Sequence, residues 1–270
     1  MDALESWVDL TAEAVTRART ACDELRWHEA YRRRWRDVRT EAGLRAAVAS
    51  AGLEGARVGI DRVRLLAGGG AEPQGAPEHV ALGCARAQAL VEGLMPDLGA
   101  GDRAPLLPLP QLLARLHTVA GLGWLPVEAL GRLRSTEPAQ DLTGLGPAPT
   151  GRDVAARIDL LGTTVATTRA PALVVAALVH AEVLAVRPFV AGNGVVARAL
   201  ARLLVTTGGL DPTGSVLPEE AWVAAPQPYL ASAAGYATGT VAGVAGWIEA
   251  SSRAVVDGAA RARELADTFV

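Results

Sequence analysis

The chain has 270 residues, 50% of them hydrophobic but only 4% aromatic, which is enough for a domain-sized core built mostly of Ala, Val and Leu. A formal net charge of −3 gives the chain as a whole no pull toward nucleic acid or acidic lipid, and 20% charged residues exclude a disordered acidic or basic chain. Every one of the 26 basic residues is Arg, which excludes a P-loop lysine and Schiff-base chemistry.

Ala, Leu, Arg and Glu dominate the periodic segments and alternating β-branched runs are missing, so the sequence predicts an all-α fold. A first helix is expected over residues 3–39, a second over 41–50 and a third over 59–66, stopped by Gly68-Gly69-Gly70. Residues 68–78 read as a flexible loop, 80–94 as a helix, 95–110 as a connection punctuated by Pro and Gly, and 111–120 as a helix. Residues 136–151 read as a long exposed loop with room for a small β-hairpin. Helices follow over 152–168, 170–186 and 194–207, and the tail 219–266 is helical with breaks.

Cys22 and Cys84 are too few for a disulfide framework or a Cys-based zinc site and read as buried or idle thiols. His28, His79, His117 and His180 are scattered with no HExxH-type pairing, so no metal site is expected. The most apolar stretch, 171–186, is interrupted by His180 and Glu182 and is too short to span a bilayer; with no signal-peptide pattern at the N-terminus, a cytoplasmic protein is expected. Trp27, Tyr31 and Trp35 fall four apart and predict one aromatic helical face among arginines. That face is read as packing or a partner contact rather than a nucleic-acid grip, since the whole chain is acidic.

The segment from His180 to Arg198 carries the most chemistry. An apolar helix stops at Arg187 because Pro188 follows, and a short loop feeds Gly192-Asn193-Gly194 into the next helix. Gly and Asn accept positive φ, so the backbone amides can turn inward and, with the helix N-terminus, cradle an anion such as phosphate. Arg198 lies one turn inside that helix and can reach back toward the anion. The alternative is a structural helix–turn–helix corner.

This segment resembles the motif of the Fic (filamentation induced by cyclic AMP) domain family, His-x-Phe-x-Asp/Glu-Gly-Asn-Gly-Arg-x-x-Arg. Pro188, Phe189, Gly192, Asn193, Gly194 and Arg198 match in register, and His180 sits where many members carry a His on the preceding helix. Ser50 to Gly55 resembles the inhibitory helix motif Ser/Thr-x-x-x-Glu-Gly/Asn. Leu116-His117 and Gly131 to Arg134 resemble the segments before the target-binding flap, and Tyr229-Leu230 and Trp247-Ile248 the C-terminal helices. The resemblance runs from about residue 41 to the end. It implies a Fic-like helical core over 111–207, an N-terminal helical region 1–110 with an inhibitory-type helix near 45–55, and C-terminal helices 208–270 packed on the core.

The departures are chemical. In active relatives the motif His is the general base of AMP transfer from ATP to a protein hydroxyl; here that position is Arg187, which cannot accept a proton near neutrality. Loss of a positioned base costs about 10²–10⁴-fold. The family's Mg²⁺-binding acid is Ala191 and its first phosphate-holding Arg is Val195. The expectation is a degenerate Fic-fold protein that binds rather than transfers, with a nucleotide, a protein partner or both as ligand and with homodimerisation suggested by the inhibitory-type helix. Its anion site would comprise Gly192, Asn193, Gly194 and Arg198. Arg187 would add charge where Mg²⁺ would have been, so that ATP or another nucleotide is held without metal. Glu54 and Arg198 are expected to form a partly buried ion pair that blocks the γ-phosphate position. The alternatives are an AMPylation-type nucleotidyl- or phosphoryl-transferase with a rebuilt site and a ligand-free scaffold. His180, two turns before Arg187 and about 10 Å away along the helix, is expected to be structural, and Glu182 to point away from the loop.

Overall fold

The computed structural model describes residues 3–100, 106–140, 142 and 144–270. Residues 101–105 of the 95–110 connection, and 141 and 143 of the 136–151 loop, lie outside the described residues. All regular structure among the described residues is helical: α1 (Ala3–Leu25), α2 (Ala30–Arg33), α3 (Trp35–Leu53), α4 (Ile60–Ala67), α5 (Gly75–Leu94), α6 (Leu109–Gly121), a 3-10 turn (Val127–Ala129), α7 (Arg152–Thr167), α8 (Ala172–Val186), α9 (Asn193–Thr207), α10 (Pro218–Ala224), α11 (Pro226–Ala237) and α12 (Val241–Asp267). The described residues of the 136–151 loop form no strand, so no hairpin is present among them.

The centre of the molecule is the α8–α9 pair. The α8 sequence is Ala, Val and Leu on every side apart from His180 and Glu182, which suits a helix enclosed all round. Every α9 residue from Asn193 to Thr206 is buried as well. Around this pair pack α3, α5, α6, α11 and α12, while α1 lies along α12. No described helix is long and apolar enough to cross a membrane.

Two N-terminal expectations are corrected. The helix over 3–39 is interrupted at residues 26–29 and again at Arg34, and α3 then runs without a stop from Trp35 to Leu53. The reason is tertiary: α1 lies on α12 whereas α3 lies on α5, so the chain must change direction between them. The break also divides the aromatic face. Tyr31 is buried with its hydroxyl 2.6 Å from Ser215 Oγ, whereas Trp27 is 73% exposed beneath the Arg26 guanidinium. Nor are all the neighbouring arginines solvated. Arg39 is buried and donates to the carbonyls of Thr213 (2.8 Å), Pro96 (2.9 Å) and Pro212 (3.1 Å).

The start of α5 at Gly75 shortens the loop expected over 68–78. Glu78 organises this start, accepting from the Gln74 amide at 2.8 Å and from Arg62 at 2.7 and 2.9 Å, and Pro77 falls in the first turn, where its missing N–H costs nothing.

Candidate functional site

The site lies where α8 ends and α9 begins. Pro188 disfavours helical backbone at Arg187, which closes α8 in the left-handed region (φ 48°, ψ 63°) and is the one non-glycine residue with positive φ among those described. Such a conformation costs about 1–2 kcal/mol, and Arg134 stabilises it. Buried Arg134 donates through Nε to the Arg187 carbonyl (2.6 Å) and through Nη2 to those of Val186 (2.8 Å) and Pro149 (2.6 Å), satisfying α8 carbonyls that have no helical partner. The Arg134 amide also donates to the Pro188 carbonyl at 2.9 Å.

The loop that follows is closed by its own asparagine. Asn193 Oδ1 accepts from the Phe189 amide and Asn193 Nδ2 donates to the Phe189 carbonyl, both at 2.9 Å. Gly192 takes φ 74°, as the sequence requires for the turn. Phe189 is fully buried and stacks face to face on His117, centroids 3.9 Å apart. His117 Nδ1 accepts from the Gly131 amide at 2.9 Å, so its Nε2–H donates to the Ala191 carbonyl at 3.1 Å. Burial pushes the His117 pKa down to about 4, keeping the ring neutral.

Glu54, at the end of α3, is brought onto the first turn of α9. Its Oε1 is 2.7 Å from Arg198 Nη2, although the two residues are 144 positions apart. Arg198 also donates from Nε to Ser50 Oγ (2.9 Å), from Nη2 to the Ser50 carbonyl (3.2 Å) and from Nη1 to the Tyr229 hydroxyl (3.5 Å). Its side chain is 2% exposed and that of Glu54 is 11% exposed. Burial opposes the charge on Arg198, but the Tyr229 hydroxyl and the Glu54 carboxylate outweigh it, so its pKa is raised. A Cβ on Gly194 would lie 2.3 Å from Glu54 Oε1 and 2.8 Å from Arg198 Nη1. Only glycine therefore lets this carboxylate rest against the helix N-terminus, where a negative charge is stabilised.

The other expected site residues have distinct surroundings. The Arg187 guanidinium donates to the Gly146 carbonyl at 2.6 Å and, at the longer distance of 3.5 Å, to that of Gln140. It is thus engaged by the backbone of the 136–151 loop instead of filling the cradle. The Asn193 amide and Nδ2 both face Gln140 Oε1, at 3.4 and 3.2 Å. His180 is buried between Trp222 and Trp247 with Nε2 2.8 Å from the Tyr229 hydroxyl; burial first, and the Arg198 charge second, hold its pKa well below the usual value. Glu182 pairs with Arg157 at 2.7 Å and accepts from the Tyr236 hydroxyl at 3.0 Å. Neither His180 nor Glu182 contributes to the cradle. Cys84 is a buried thiol whose pKa burial pushes up to about 12, Cys22 is likewise buried, and neither forms a disulfide.

Beside Gly194 a cavity of about 220 Å³ is lined by Leu53, Leu184, Leu230 and Tyr229 together with Glu54 and Arg198. That is below the ~300–1,000 Å³ of ordinary small-molecule sites. The donor set does not fit a divalent cation: Ala191 offers no side-chain oxygen, and no group of three His, Cys, Asp or Glu comes together among the described residues.

Sequence reasoning assigned no role to Gln140, Arg134 or Tyr229. Arg134 and Tyr229 lie in segments quoted for the resemblance, but their partners are 31 or more residues away in the chain, apart from Pro149. Gln140 carries no local signal at all.

Residues 110–205 match the family model described as Fic/DOC family. Solved structures with a similar fold include a Fic family protein from Desulfovibrio desulfuricans G20 (TM-score 0.66, 19% identity, covering 97% of this chain and 74% of that one). Fic-1 (residues 134–508) from C. elegans gives a TM-score of 0.71 at 17% identity, covering 97% of this chain and 74% of that one. A Fic domain containing signaling protein from Bacteroides thetaiotaomicron gives 0.68 at 16% identity, covering 94% and 97%. No curated protein matches the sequence. At these identities the structural likeness concerns the fold.

Proposed function

We propose that this chain, which carries a Fic/DOC-family domain over residues 110–205 within an all-helical Fic-like fold, binds a phosphate-type anion at the N-terminus of α9 and does not transfer nucleotide. The observation that carries the reading is the seating of Glu54: a carboxylate of the chain itself rests on Gly194 and on buried Arg198, where a phosphate oxygen would sit. Three losses argue against transfer. Arg187 accepts no proton, Ala191 ligates no metal, and Val195 holds no phosphate. AMP transfer needs base, metal and phosphate clamp together, because positioning and charge stabilisation supply most of its rate.

On this reading the region 1–110 supplies Glu54, the core 111–207 supplies the cradle and Arg198, and the region 208–270 supplies Tyr229 behind it. The ligand is a nucleotide or another phosphate-bearing molecule, taken without Mg²⁺, and Glu54 makes binding conditional on withdrawal of its carboxylate from Gly194 and Arg198.

A ligand-free scaffold is the second reading. It is favoured by the number of bonds already made to Arg198, which lock α3, α9 and α11 together.

The test uses the full chain and its Glu54→Gly variant. Calorimetry with ATP, ADP and GTP is expected to give binding heat for the variant, unchanged by removal of Mg²⁺, and no label is expected on protein from radiolabelled ATP. Absence of heat with every nucleotide would leave the scaffold reading, and label appearing on protein would establish a transferase with a rebuilt site.

A further inference from the structure

Resting on the reading of the α9 N-terminus as an anion cradle, we infer that Gln140 is a second built-in occupant of it. Arg187 and Arg134 act as the positioning residues that hold Gln140 there, so a phosphate-type anion enters only when both Glu54 and Gln140 withdraw.

The argument begins with donors. The first N–H groups of a helix have no partner within the helix, and an oxygen from elsewhere must serve them. At α9 the Gln140 carboxamide oxygen faces the Asn193 amide at 3.4 Å and Asn193 Nδ2 at 3.2 Å. These are long bonds from a neutral acceptor. Charge-assisted bonds are about twice as strong as neutral ones, so an anion oxygen outcompetes the carboxamide on the same donors. Glu54, paired with Arg198, is the harder occupant to displace.

Gln140 stays in place because its backbone is tethered. Arg187 donates to the carbonyls of Gln140 and Gly146, and Arg134 donates to that of Pro149. The Gly151 amide closes the base of the loop on the Ser135 carbonyl at 2.9 Å. Arg134 binds the Arg187 and Val186 carbonyls as well, so the loop and the end of α8 are held as one unit. Between these tethers Gly144 and Gly146 take positive φ and Gln140 is only half-buried, so its side chain can withdraw while Leu145 stays packed in the core. Arg187 thereby has a use unrelated to proton transfer: a histidine at that position lacks the reach and the fork of donors that engage two loop carbonyls at once.

Hydrogen exchange, read by mass spectrometry on the full chain with and without inorganic phosphate, tests this. Gln140→Ala is expected to speed exchange of the Asn193 amide about fivefold, with α12 unaffected and with little response to added phosphate while Glu54 is in place. Arg187→Ala is expected to speed exchange over residues 144–151 together with Asn193; if that variant does not fold, Gln140→Ala decides alone. Unchanged exchange at Asn193 in Gln140→Ala overturns the proposal, as does a folded Arg187→Ala with an unaltered loop. The Glu54→Gly/Gln140→Ala double variant separates the two claims. Protection of the double variant at a lower phosphate concentration than Glu54→Gly alone requires supports Gln140 as an occupant. Equal protection of both removes Gln140 and leaves the cradle, and protection of neither removes the cradle itself.

Discussion

Arg198 is the residue on which the candidate site depends. It is a guanidinium taken almost wholly out of water, and among the described residues only Glu54 supplies a formal countercharge to it through a bond. Removing one member of a buried pair leaves the other charged and dry, at a cost of 3–5 kcal/mol or so. The two partners are not equally placed, however. Both border the cavity, but the Glu54 side chain keeps 11% exposure against 2% for Arg198, so a Glu54 left alone hydrates more readily than an Arg198 left alone. Glu54→Ala is therefore expected to cost about 3 kcal/mol in urea unfolding, and Arg198→Met clearly less. Equal effects of the two would mean that the pair is solvated to the same extent on both sides. Ser50 explains why Arg198 keeps its orientation when Glu54 moves, because its hydroxyl and carbonyl hold Nε and Nη2 independently of the carboxylate.

Close helix contacts decide where that residue-level chemistry is placed. The α5–α6 contact is the tightest near the site: a Cβ on Gly83 would lie 2.0 Å from the Ala120 carbonyl oxygen, which also accepts from Trp124 Nε1 at 2.6 Å. Backbone cannot retreat as a side-chain end can, so Gly83→Ala must push α6 away from α5. Overpacking of this kind costs about 1–3 kcal/mol. Because α6 carries His117, the displacement is expected to loosen the stack on Phe189 and the bond to Ala191. A fall in melting temperature of several degrees, accompanied by a shifted His117 imidazole resonance, is the expected result. A melting temperature equal to wild type would show that α6 is free to slide. The helices expected over 3–39 and 41–50 cover most of α3 but divide it near residue 40, and the turn at residues 26–29 was not legible, because it is imposed by α12 and α5 rather than by Gly or Pro.

At the level of the whole molecule, the two histidines that the fold buries set a pH dependence. His117 and His180 both have folded pKa values below the ordinary 6.5 because burial disfavours the charged ring. Between about pH 4 and 6.5 the unfolded chain therefore binds more protons than the folded one, and stability rises with pH across that window and levels off above it. The slope is at most about 1.4 kcal/mol per pH unit for each histidine. Unfolding free energies are expected to fall by about 2–4 kcal/mol between pH 7 and pH 5, with a shallower fall in His117→Gln. A flat profile over this range would mean that water reaches both rings in the folded state.

The sequence by itself determined the helical class, the helix breaks at Gly68 and Pro188 and a resemblance to the Fic motif in which Arg187, Ala191 and Val195 depart from the motif's residues. Each of these is written in residue identity or in periods of a few residues. Only the tertiary structure decided what fills the α9 N-terminus. The Gly192-Asn193-Gly194 run makes an oxygen acceptor necessary there but cannot say which one, since Glu54 and Gln140 arrive from 139 and 53 residues away. The same holds for Arg187. Its chemistry forbids the role of a base in any fold, whereas its engagement with Gly146 follows from the path of a loop whose course no local pattern prescribes.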